Sequence, residues 1–93
     1  MAAEHLIATW ATTLRHLASA RFHLPHTMGS AEASAANARF NAYVDENELE
    51  LALDEAETLG SLCQAPPAFW KELQLAAANM RLADSEARYA ALC

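Results

Sequence analysis

An all-α fold follows from three features of this sequence. Apolar residues make up 54% of it with alanine prominent, only two glycines and three prolines interrupt it, and the apolar positions recur at helical spacing. Ninety-three residues suit one domain with one modest core, burying roughly 60 to 65% of the surface of the extended chain. The expected architecture is an antiparallel four- to five-helix bundle spanning residues 1–93.

The first helix is expected from Ala3 to about Leu24, with Leu6, Trp10, Leu14, Leu17 and Arg21 on the inward side. Pro25 disfavours helical geometry at Leu24, and His26-Thr27-Met28-Gly29-Ser30 reads as a loop. Ser30 is placed to cap a second helix from Ala31, in which Ala33 and Ala36 permit close approach and Phe40, Tyr43 and Val44 anchor the end. At Asp45-Glu46-Asn47-Glu48 the apolar pattern shifts phase. Asp45 and Glu48 have capping-box spacing, so a turn is expected there.

A third helix then runs from Glu48 to Leu59, with Gly60 as the terminating left-handed residue. After a loop from Ser61 to Ala65, Pro66-Pro67 suits a helix start, because proline's missing N–H costs nothing in a first turn. The fourth helix is expected from Pro67 to Leu82, with Phe69, Leu73, Ala76, Ala77 and Met80 inward and Trp70 beside them. Asp84 or Ser85 would cap a last helix, Glu86 to Leu92, carrying Tyr89.

Charge is distributed unevenly. Seven of the twelve carboxylates fall between Asp45 and Glu57, and no Lys or Arg occurs from Phe40 to Trp70, so this stretch accounts for the whole net charge of -6, the rest of the chain being nearly balanced. On a continuous helix Glu46, Glu50, Asp54 and Glu57 stack along one side, where like charges at i,i+4 repel. Such a stripe points to a basic protein partner, with Tyr43 just before it as the candidate apolar anchor. Alternatively Tyr43 packs under the third helix, and the acids form an ordinary solvated face.

Several classes are disfavoured. A pI near 5.0 opposes binding to nucleic acid phosphates or to anionic membranes. The opening Met1-Ala2-Ala3-Glu4-His5 lacks the positive region of a secretory signal, which makes a cytoplasmic location the expectation. Cys63 and Cys93 have neither disulfide-scaffold density nor metal-site spacing. His5, His16 and His23 share one side of the first helix, opposite its apolar stripe, but lie roughly 16 and 10 Å apart along it, too far to share a metal. No glycine-rich phosphate loop or nucleophile motif is present. No cofactor, no metal and no catalytic residue are therefore expected, and the chain does not read as an enzyme.

The run Phe40-Asn41-Ala42-Tyr43-Val44-Asp45-Glu46-Asn47-Glu48-Leu49-Glu50-Leu51-Ala52-Leu53, followed by Leu59-Gly60 and Phe69-Trp70, resembles small helical bacterial immunity proteins of the MafI-like kind, over roughly Phe40 to Met80. In that group a short acidic helix follows an aromatic-bearing one. The resemblance implies neutralisation of a cognate toxin inside the producing cell or its kin. A secreted nuclease-type toxin would fit the charge, since such an enzyme must itself bind phosphates. The competing expectation is a self-associating helical module, a homodimer using surface such as Ala33, Ala36, Leu51 or Leu62.

Overall fold

The computed structural model describes the backbone of residues 2–93 and the side chains of residues 9–93. Five helices follow one another: α1 (Ala2–Phe22), α2 (Ala31–Asp45), α3 (Leu49–Leu62), α4 (Pro67–Asn79) and α5 (Ala83–Ala90), with no strand among the described residues. Helix α1 lies chiefly along α4 and less closely against α3, α2 packs on α3, and α5 packs on α4. The result is an elongated helical bundle of 44 × 28 × 19 Å. Among the described residues, no helix is long and apolar enough to cross a membrane.

The core joins Leu17, Phe40, Leu53, Leu59, Phe69 and Leu73 with small residues that let the helices approach, including Ala33, Ala36, Ala52, Ala76 and Ala77. Ala33 and Ala36 are therefore interior residues, not self-association surface. Leu51 and Leu62 do remain exposed.

On α1 the inward face is rotated from the expected one. Thr13, Leu17 and Ala20 are buried, as is Leu24 just beyond the end of α1, while Leu14 is half-buried and Trp10 is exposed. Leu6 and His5 lie outside the described side chains. The rotation has a polar cause: Asn79, the last residue of α4, donates through Nδ2 to the Thr9 carbonyl (2.8 Å) and to Thr13 Oγ1 (2.7 Å). A threonine with its hydroxyl paired can occupy the interior, so the α4-facing side of α1 includes Thr13, and Trp10 stays exposed. His16 is likewise not simply solvated, since its Nδ1 lies 2.8 Å from Glu72 Oε2 on α4.

Ser30 caps α2 as expected, accepting the Ala33 N–H at 3.1 Å, and Pro67 opens α4 at its first turn. The other ends differ. Helix α3 continues through Gly60 to Leu62, α4 stops at Asn79 and not Leu82, and α5 covers Ala83–Ala90, preceded by Leu82 without a side-chain cap. The Asp45–Glu48 capping box does not form: Asp45 closes α2, and Glu48 precedes α3 with no side-chain cap bond.

One device ends three of the helices. Asn47 (φ 60°), Gln64 (φ 52°) and Arg81 (φ 60°) each adopt the left-handed conformation. The next N–H reaches back five residues, Glu48 to Tyr43, Ala65 to Gly60 and Leu82 to Ala77, each at 2.8 or 2.9 Å. That pairing satisfies carbonyls left open at a helix end and defines the Schellman motif. Each motif hands the chain into the next helix within a few residues.

Gly60 serves packing instead of termination. A Cβ there would collide with the Phe69 ring and come within 2.8 Å of two Trp70 ring carbons. The missing side chain lets the edge-to-face Phe69–Trp70 pair, whose centroids are 5.0 Å apart, lie against the α3 backbone.

Candidate functional site

The acidic stretch does not form one continuous stripe. Glu46 is the C-cap of α2 and stands on the far side of the Asn47 turn from Glu50, while Glu50 and Asp54 are exposed on α3. The turn breaks the i,i+4 series that a continuous helix would have made.

Glu57, the fourth residue of the expected stripe, is committed internally. Tyr89, fully buried on α5, donates its hydroxyl to Glu57 Oε1 at 2.9 Å, and Arg88 donates from Nη2 to the same oxygen at 2.9 Å. The Arg88 guanidinium also lies 5.6 Å from the centre of the Tyr89 ring. Burial first, and then the hydrogen bond to Glu57, holds the Tyr89 hydroxyl's pKa well above the ordinary tyrosine value. Arg88 is the cation that the chain from Phe40 to Trp70 lacks, supplied by another helix.

Glu55 is paired in the same manner. Arg39 of α2 donates from Nε to Glu55 Oε1 at 2.8 Å, while Glu55 Oε2 is buried without a hydrogen-bond partner among the described residues. Asp54 is different: its carboxyl pKa is raised, first by partial desolvation and then by repulsion from Glu57 and Glu50, with Arg88 acting in the opposite sense. It borders an open cleft of about 520 Å³ whose other residues include Arg81, Asp84 and Arg88.

What remains is a set of exposed carboxylates, Asp45, Glu46, Glu48, Glu50 and Asp54, for which no ion pair occurs among the described residues. Tyr43 is half-buried and packs against the core. Cys63 at the C-cap of α3 and the exposed Cys93 are free thiols.

Two features lay outside the expected site. The cations Arg39 and Arg88 lie 16 and 31 residues from their partners, beyond any local pattern. The exposed Phe22 and Trp10 belong to a series at four-residue spacing, Trp10, Leu14, Ala18 and Phe22, of which Trp10 and Leu14 are expected on the inward side, while Ala18 and Phe22 have no expected role. Beside it, α1 and α2 leave an open apolar groove.

The chain matches no family model, no curated protein and no solved structure. The fold defines the class: an all-α helical bundle, with exposed carboxylates around the α2–α3 turn and an apolar groove beside α1.

Proposed function

We propose that this chain is a protein-binding module of the immunity type, which neutralises a cognate bacterial toxin by presenting carboxylates to a basic surface on it. One observation carries the reading: Asp45, Glu46, Glu48, Glu50 and Asp54 crowd the α2–α3 turn and the start of α3 without ion-pair partners among the described residues. Unpaired like charge costs folding stability, and a cationic partner recovers that cost. A nuclease-type toxin offers such a surface, because the groups that bind its phosphates also bind displayed carboxylates.

The acting set is Glu46, Glu50 and Asp54, with Glu48 and Asp45 beside them. Glu57 supports the face from within through Tyr89 and Arg88. Long-range attraction raises the encounter rate and weakens as salt screens it.

The test is retention of partners from the native lysate by wild type and by the triple variant Glu46→Gln, Glu50→Gln, Asp54→Asn. A basic protein held only by wild type, toxic when expressed alone and harmless when co-expressed with this chain, is the expected result. Equal retention by the triple variant would remove the acidic face from the proposal, and a captured protein without toxicity would remove the immunity role.

A further inference from the structure

Along α1 the residues Trp10, Leu14, Ala18 and Phe22 form an i,i+4 ridge in which Trp10, Ala18 and Phe22 are exposed and Leu14 is half-buried. Phe22 is 87% exposed and Trp10 44% exposed. Next to the ridge, α1 and α2 part to leave a groove. Its inner section, about 240 Å³, is floored by Leu14, Leu17, Phe40 and Val44, and its wider section, about 510 Å³, runs past Ala18 to Phe22. An open aromatic beside an apolar groove is a knob next to a hole.

We propose that a second copy of this chain covers this face, forming a two-fold dimer in which the α1 helices cross at Ala18. The arrangement is self-complementary. Phe22 lies four residues to one side of Ala18 and Leu14 four residues to the other, so a two-fold axis at Ala18 brings each Phe22 to the Leu14–Phe40–Val44 groove of the other copy. Ridges of i±4 spacing interlock at a crossing angle of about −50°, and a small residue at the crossing permits close approach.

Charge selects a second copy over an unrelated helix. At its Phe22 end the groove is lined by Arg21 and His26, on a segment without a carboxylate from Thr9 to Ser30, whereas the α2 end of the groove, at Val44, leads into Asp45, Glu46 and Glu48. The face is thus basic at one end and acidic at the other. Two copies related by the axis at Ala18 lay each basic end near the other's acidic end, while a helix of uniform sign is repelled at one of them.

Sedimentation equilibrium of the full chain over a wide concentration range tests this. Wild type is expected to approach twice its 10.1 kDa mass, with association weakening as salt is raised. Phe22→Glu should weaken it by more than roughly tenfold, as loss of a central aromatic anchor does, while its melting temperature extrapolated to low concentration stays unchanged. Combined with Cys63→Ser and Cys93→Ser, Ala18→Cys should form an inter-copy disulfide, which requires identical residues to meet at the axis. A wild type monomeric throughout, including one whose groove binds some other protein, would overturn the proposal, as would a dimer insensitive to Phe22→Glu. Glu50→Gln with Asp54→Asn should leave the dimer intact, which separates this test from that of the acidic face.

Discussion

At the scale of single residues, the two unusual backbone requirements of this chain are met by the opposite of the expected residue types. Gly60 occupies a helix interior, where alanine would have better helix propensity by about 1 kcal/mol, because the Phe69 and Trp70 rings fill the space of its side chain. Gln64 and Arg81 occupy left-handed positions where glycine would be unstrained. Gly60→Ala should accordingly destabilise the protein by about 1–3 kcal/mol despite the propensity gain, since neither backbone nor rings can yield without losing core contacts. Arg81→Gly and Gln64→Gly should each stabilise it by about 1 kcal/mol, and Asn47→Gly by less, asparagine tolerating this conformation better. Urea denaturation of the four variants measures both effects, and a stabilised Gly60→Ala would show that the ring contacts yield freely.

At the scale of elements, helix starts were legible where a residue chemically suited to the start stood in place. Ser30 and Pro67 each mark a start that the structure places at the same residue. Helix ends at Leu62 and Asn79 were not legible, because their left-handed residues, Gln64 and Arg81, carry no local signature, while Gly60, which does, lies inside a helix. The orientation of α1 escaped the pattern for a related reason: a count of large apolar residues overlooks Thr13, whose burial depends on Asn79, 66 residues away. Asn79→Ala should therefore cost about 1–3 kcal/mol by leaving the buried Thr13 hydroxyl without this partner, and adding Thr13→Val should recover part of that loss. A double-mutant cycle measures the coupling. Strictly additive costs would show that Asn79 does not set the rotation of α1.

At the scale of the whole molecule, the acidic cluster could be read from the sequence, whereas its division into paired and unpaired groups depended on which distant cations the fold would bring near. Arg39 and Arg88 neutralise Glu55 and Glu57 and leave the exposed charge around Glu46, Glu50 and Asp54. This division has a pH signature. The raised Asp54 carboxyl adds stability that is complete below its unfolded pKa and lost as pH rises through the folded one, so ionised Asp54 opposes folding at neutral pH. Asp54→Asn should then be more stable than wild type at neutral pH, with the difference vanishing in acid. Tyr89 obeys the same sign in another window: its raised hydroxyl pKa keeps its contribution intact up to about pH 10, above which the unfolded chain ionises while the folded one resists, and stability falls. Tyr89→Phe should remove that alkaline loss while giving up the hydrogen bond to the Glu57 carboxylate, worth about 1.5–3 kcal/mol. Denaturation midpoints of wild type and both variants across acid and alkaline pH separate the two windows. Because Glu57 accepts from Tyr89 and also repels Asp54, Glu57→Gln should diminish both effects together; if it altered only one, the two groups would not be joined through Glu57 as the fold places them.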